Sequence, residues 1–220
     1  MGTAREKSSR IKNKMLRPFG NSCLFESYLN LLEDIKSKKS PFNNIIIALN
    51  KDDKLLYRRA MESDIRIQDR NKFSATKATL PKDIYHYLTD YEEDYVMWVN
   101  ACFPFLKAET VINVANFFVS HREINSLHCV KKRENWFWDK ATNKPLNLEK
   151  TTDAQTQDSL PIYESVHCFH IHNKDDLMRK NRYWSFKKND PYLYEVKESF
   201  EFLDIDSPME FDICESVYMR

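Results

Sequence analysis

An α/β fold, with a mostly parallel sheet covered by helices on both faces, is predicted by three features of this sequence. Segments whose apolar residues recur at helical spacing alternate with short runs rich in Ile and Val. That alternation is the pattern of βαβ units. The runs in "NNIIIALN" and "YVMWVN" are apolar without a polar face, as expected of strands buried between two helical layers. The chain has 220 residues, 42% hydrophobic and 30% charged, which is enough for one large soluble domain with a real core.

Each element follows from local pattern. Leu24, Phe25, Tyr28, Leu31, Leu32 and Ile35 fall on one helical face. "NNIIIALN" then reads as a buried strand, "DDKLLYRRAMES" as a helix opened by an Asp, and "DIRIQDR" as an alternating strand. "KDIYHYLTDYEED" is expected to be a helix through Ile84, Leu88 and Tyr91. "YVMWVN" is a strand, and "KAETVINVANFFVSH" a helix with Val111, Val114, Ala115 and Phe118 on one face. "SLHCVKK", "VHCFHIH" and "YLYEV" read as further strands. The polar, turn-rich stretch 139–161 interrupts the sheet pattern and is expected to form a long loop or lobe. The expected organisation is one domain, 1–220, with an inserted lobe at about 133–165. At the far end, "FEFLDIDSPMEFDICESVYM" is expected to pass from a strand into a helix. Ser207 is the N-cap, Pro208 the first helical residue and Glu210 the partner that completes a capping box. Phe211, Cys214 and Tyr218 give this helix its apolar face.

Bulk properties exclude some classes of function. The formal net charge is +1, without the basic excess of a nucleic-acid-binding protein. The five cysteines are odd in number, far apart and form no CxxC pair, which indicates reduced thiols and a cytoplasmic location. No apolar run approaches the ~20 residues that span a bilayer, and the N-terminus lacks a signal-type apolar region. Neither nucleic acid nor membrane is therefore an expected partner.

Two clusters stand out. Asp204 and Asp206 in "LDIDS" are two residues apart, so an extended chain points both to one side and sends Ile205 into the core. Adjacent carboxylates repel, and burial raises the cost. A divalent cation relieves it. Mg²⁺ suits such a pair, because it takes one or two carboxylates and completes its shell with water and phosphate. Solvated acids before a helix N-terminus would show the same pattern. The second cluster is "TAREKSSRIKNKMLRPFG", with six basic residues and one acid. Arg forks, Lys point charges and hydroxyls are the donors a triphosphate needs. The spacing is not that of a P-loop, which ends in GK[ST]. A loose basic arm is the alternative, but "MLRPFG" runs straight into a well-patterned helix, which favours an anchored loop.

These stretches resemble a known family. "AREKSSRIKNK" is similar to the AR-x-x-S-x-R-x-x-x-K loop of the acylneuraminate cytidylyltransferases, the CMP-sialic acid synthetase group. "YVMWVNACFPFLKAETV" resembles that family's central strand and turn. "WFWDKATNKPLN" and "QTQDSLPIYE" resemble its insertion. "ESFEFLDIDSPMEF" is similar to its E-x-x-DID-x-x-x-DF motif, with Glu210 where Asp is usual. The resemblance implies a Rossmann-like nucleotidyltransferase fold with a small dimerisation lobe, acting as a homodimer. It implies transfer of CMP from CTP to an acidic nine-carbon sugar with Mg²⁺ and release of pyrophosphate, in surface-glycan synthesis. By the same resemblance, Arg5, Ser8, Arg10 and Lys14 hold the triphosphate, with Arg10 and Lys14 acting in catalysis. Arg70 lies near cytosine and ribose, and Asn100 lines the site. Asp204 and Asp206 are the metal-binding and catalytic acids. Gln157 and Tyr163 would meet the sugar. A non-catalytic nucleotide-binding relative or partner subunit would share these motifs, and would bind CTP without turnover.

Three other signals have simpler readings. His170 and His172 share a strand face, yet no third zinc ligand is evident, so they read as structural. "NWFWD" reads as lobe or dimer packing rather than a base-stacking platform. "VKKRE" reads as a solvated charge run.

Overall fold

A computed structural model describes residues 1–220 apart from 6, 7, 9, 149–154, 157, 158, 198 and 220. In chain order the elements begin with β1 (Gly2–Thr3). A small hairpin of β2 (Pro18–Phe19) and β3 (Ser22–Cys23) leads into α1 (Leu24–Ser37). Next come β4 (Ile46–Leu49), α2 (Lys54–Met61), β5 (Arg66–Asp69), α3 (Lys72–Thr76) and α4 (Pro81–Ile84). Then follow β6 (Tyr95–Asn100), α5 (Ala108–Ser120), β7 (Leu127–Arg133), β8 (Trp138–Asp139) and β9 (Lys144–Pro145). The chain continues through β10 (Ile162–Asn173), α6 (Lys174–Met178), β11 (Tyr192–Glu195) and α7 (Pro208–Tyr218).

Seven strands form one sheet in the order β11-β7-β10-β6-β1-β4-β5. β10 runs antiparallel to both of its neighbours, and the other strand pairs of this sheet are parallel. The sheet is buried on both sides because β4 divides its side chains between two cores. Ile47 and Leu49 join the core with α1, α2, α5 and α7, while Ile46 and Ala48 pack with Tyr85, Tyr87, Leu88, Val96 and Leu177. That period-2 division explains why the strand is apolar at every position. The fold expectation holds: a mostly parallel sheet between helical layers.

β1 is only two residues long, yet it lies between β4 and β6. Gly2 is required there by close approach. A Cβ at this position would lie 1.9 Å from the Tyr28 Oη, and that hydroxyl donates to the Val99 carbonyl at 2.8 Å.

Two expected elements differ. Residues 81–90 do not form one helix: α4 makes a single turn, and a 3-10 segment follows at His86–Asp90. Tyr85 and Leu88, three apart, are both buried against the second core. Tyr87 is buried there as well, and residues two apart do not share one face of a regular α-helix. The expected strand before α7 is absent too. Phe200–Phe202 forms a 3-10 turn, and 203–206 lies outside the sheet in neither strand nor helix, with Ile205 N donating to the Cys102 carbonyl just after β6 at 3.0 Å. α7 itself begins as expected, with Ser207 capping, Pro208 in the first turn and the reciprocal Glu210 bond. Phe211 and Cys214 are buried, and Tyr218, 42% exposed, packs its ring against Phe19 with centroids 4.7 Å apart.

Within the insertion, β8 and β9 form a hairpin. Asn147, 3% exposed, organises what surrounds it: its amide donates to the carbonyls of Asn135 and Leu160, and its oxygen accepts from Phe137 N.

Candidate functional site

The parallel strands β1, β4, β5 and β6 all end at the same edge of the sheet, where ligands of open α/β sheets bind. Three of them deliver the predicted residues directly: the basic segment follows β1, Arg70 follows β5, and Asn100 closes β6. β10 runs the other way, so its first half reaches this edge as well. A cavity of about 480 Å³ opens here. Arg5, Ser8, Arg10, Lys14, Arg70, Asn100, Asp204 and Asp206 all line it. Tyr163 does not: it lies on the outer part of β10, 45% exposed, with its hydroxyl donating to Glu195. Gln157 lies outside the described residues.

The basic segment is anchored. Ala4, Ile11 and Met15 are buried in the main core. Asn13 takes a left-handed turn at φ 53° and starts a one-turn 3-10 helix over Lys14–Leu16 that buries Lys14. The Lys14 Nζ donates to the Ile205 carbonyl at 2.5 Å and lies 3.8 Å from an Asp206 oxygen. Arg10 pairs with Asp206 at 2.6 Å, and Arg17 with Asp212 at 2.7 Å. The two ends of the chain, about two hundred residues apart in sequence, are therefore joined at one spot. A loose arm is excluded for the described part of the segment.

The acid pair is shaped by α7. Glu210 accepts hydrogen bonds from the backbone N–H groups of Asp206 and Ser207 at 2.9 and 2.6 Å. Ile205 is fully buried between two partly exposed acids, so the alternation inferred for a strand survives in a segment outside the sheet. Both carboxylates face the cavity. Burial, with Asp206 beside it, pushes the Asp204 carboxyl up to about 6, against the pull of Lys14 and Arg10. Its Oδ1 is buried with no hydrogen-bond partner. An orphaned hard oxygen beside a second carboxylate fits a divalent cation such as Mg²⁺. Among the described residues no three His, Cys, Asp or Glu side chains are grouped to hold a metal by themselves. Such a cation would rely on ligand oxygens and water for the rest of its shell.

Arg70 is also undersatisfied. It is 8% exposed, its Nε has no partner, and a terminal nitrogen lies 3.5 Å from the Ala4 carbonyl. Burial lowers its affinity for its proton. A buried guanidinium with an unpartnered donor, in a residue that lines the cavity, suits an acceptor-rich ligand. Asn100 is committed to the backbone, donating to the His167 carbonyl at 3.0 Å and accepting from Cys102 N at 3.1 Å. Trp98, Cys102 and His167 also line the cavity and were not legible as site residues. Only Trp98 and Cys102 had a signal, from their places in and just after the β6 run.

No protein-family model and no curated protein matches this sequence. Solved structures do. A CMP:2-keto-3-deoxy-manno-octonic acid synthetase complexed with CTP superposes with a TM-score of 0.68 at 8% identity, over 98% of this chain and 95% of that one. The fold is that of the nucleotidyltransferases. A 4-diphosphocytidyl-2C-methyl-D-erythritol synthase from Anaerococcus prevotii matches with a TM-score of 0.67 at 14% identity, over 100% of this chain and 96% of the other. A cytidylyltransferase from Leptospira borgpetersenii matches at 0.59 and 15% identity, over 98% and 83%. At such identities the likeness establishes the Rossmann-like nucleotidyltransferase architecture, and the chemistry rests on the site.

The signals read as structural remain so. His170 and His172 are buried among aromatic rings, and the five cysteines are free. In "VKKRE", Lys132 pairs with Glu134 and Arg133 with Glu164. Among the described residues no helix is long and apolar enough to cross a membrane.

Proposed function

We propose that this chain is a CTP-dependent sugar cytidylyltransferase, transferring CMP to an acidic nine-carbon sugar of the sialic acid type and releasing pyrophosphate. One observation carries the reading: the cations of residues 5–14 and the acids Asp204 and Asp206 meet in one cavity at the carboxyl edge of the sheet. Nucleotidyl transfer needs little covalent chemistry from a protein and much positioning and charge neutralisation. Three solved neighbours whose names include cytidylyl or CMP chemistry support the nucleotide. The motifs resembling acylneuraminate cytidylyltransferases support the acceptor.

In this reading Arg5, Arg10 and Lys14 grip the phosphates, and Ser8 donates its hydroxyl to them. Lys14 is held in place by the Ile205 carbonyl, so little reorganisation is needed as charge builds on the leaving pyrophosphate. Arg10 exchanges its bond to Asp206 for phosphate oxygens. Arg70 uses its unpartnered donor on the nucleoside. The acceptor's anomeric hydroxyl then attacks the α-phosphorus. Asp204 and Asp206 would hold Mg²⁺, which supplies neutralisation of phosphate charge and lowers the pKa of a bound hydroxyl. The chain is proposed to act as a homodimer through the inserted lobe.

The test is pyrophosphate release from CTP with a panel of acidic sugars, N-acetylneuraminate and 2-keto-3-deoxy-manno-octonic acid among them. Release with a nine-carbon acid and Mg²⁺ is expected. CTP binding with no release on any sugar would instead indicate a non-catalytic relative.

A further inference from the structure

β10 contains a large register shift beside the cavity. Ser165 pairs with Val130 and His170 with His128, so the four residues 166–169 face only Cys129. Bulges next to sites re-aim side chains. In a regular strand, residues three apart point to opposite faces. Here Val166, Cys168 and Phe169 all enter the main core, while His167 and His170 come together on the other side. The His167 Nδ1 lies 3.2 Å from the His170 Nε2. His167 is exposed and lines the cavity, and its carbonyl is held by Asn100. His170 is 6% exposed, stacked between Trp98 and His128 with interplanar angles of 7° and 6°.

Which ring nitrogen holds each proton follows from burial. The His170 Nδ1 is buried and has no partner. If His167 donated its Nδ1 proton, the His170 proton would sit on that partnerless nitrogen. A buried orphan N–H is rarer and more costly than a buried lone pair. The lower-cost arrangement has His170 Nε2–H donating to His167 Nδ1. His170 remains neutral, held down to about 2 by burial and the neighbouring imidazoles. The remaining proton of His167 is then on Nε2, the ring nitrogen not engaged with His170.

We propose that His167 is a specificity residue of the acceptor subsite, fixed by His170 as the Nε2–H tautomer so that it presents one neutral hydrogen-bond donor to an oxygen of the acceptor sugar. This rests on the function proposed above. It follows from which side of the cavity His167 occupies. Arg70, Ser74, Thr76 and Ile84 line the β5 side, assigned to the nucleoside, and the cations after β1 lie between. Trp98, Asn100 and His167 line the β6–β10 side, where the second substrate must sit. A site built around a fixed donor discriminates strongly, because an acceptor lacking the matching oxygen leaves it unpaired. His170 is a positioning residue, acting only through His167.

The experiment is ¹⁵N NMR of the imidazoles in the full chain, combined with calorimetry. In wild-type protein, His167 should show an unprotonated Nδ1 and a protonated Nε2. With CTP bound, adding N-acetylneuraminate or 2-keto-3-deoxy-manno-octonic acid should shift the Nε2–H resonance saturably. His167→Phe should weaken binding of that sugar roughly tenfold or more, with CTP affinity unchanged. His170→Phe, which keeps the ring stack, should leave His167 averaging between tautomers. A protonated Nδ1 on His167 overturns the proposal. So does CTP binding without any response of Nε2–H to either sugar. If the protein binds no CTP, the function proposed above fails instead, while the tautomer measurement still reports on His170.

Discussion

Lys14 is the residue on which both ends of the chain depend. Its stem is buried, and its ammonium holds the Ile205 carbonyl next to the two acids. A hydrogen bond to a charged group contributes about 1.5–3 kcal/mol. Lys14→Met keeps the buried stem and removes the charge. It should lower stability by about 1–3 kcal/mol in urea titration and weaken CTP binding by roughly 10- to 100-fold by calorimetry. Unchanged CTP affinity would remove the segment from the nucleotide site. Three histidines make a separate prediction about pH. Burial holds His128 and His172 down to about 4 and His170 to about 2. The unfolded value is about 6.5, so between pH 6.5 and 4 the unfolded chain binds more protons than the folded one. Their contribution is complete above pH 6.5 and is lost as pH falls through that window. The urea midpoint should therefore drop between pH 7.5 and 5, and His172→Gln should flatten the dependence. A midpoint that stays level in the wild type contradicts their buried, neutral state.

The capping box of α7 sets the position of Asp206 as well as starting the helix. Glu210 accepts from both Asp206 N and Ser207 N, and Ser207 Oγ accepts from Glu210 N at 3.3 Å. Glu210→Ala should cost about 1 kcal/mol, as cap losses do. It should also reduce pyrophosphate release more than Ser207→Ala, which leaves the Asp206 N–H bond in place. Equal activity losses at equal stability would show that the box is only a helix start. This box was readable from "SPME" because it depends on spacing alone. The alternation of Asp204, Ile205 and Asp206 was readable for the same reason, and it held although the segment joins no sheet. Residues 82–94 read as a helix because Ile84, Leu88 and Tyr91 fall at helical spacing, and all three do pack on the second core. The neighbouring Tyr85 and Tyr87 are buried there too, two residues apart, which one regular α-helical face does not provide. His167 could not be found at all. Its place depends on a register shift, and that shift is set by Val166, Cys168 and Phe169 all entering the core.

At the scale of the molecule, the exposed apolar groups of the inserted lobe are where the proposed dimer can be tested. Its backbone is tied by the buried Asn147, yet Trp136, Trp138, Leu146, Leu160 and Tyr163 are 36–62% exposed on it. Ordering a loop while leaving large apolar groups in water gains little, and contiguous exposed apolar surface marks an interface. The lobe extends from the outer ends of β7 and β10, which pair through Arg133 and Ile162 beyond the register shift. Tyr163 therefore sits away from the cavity of its own chain. Sedimentation should give twice the chain mass. Trp138→Asp combined with Leu146→Asp should yield a folded monomer, because neither side chain belongs to the buried core. If Tyr163 meets sugar only across a dimer, that monomer should bind CTP normally and release pyrophosphate slowly. A wild-type monomer with full activity would leave the lobe without this role.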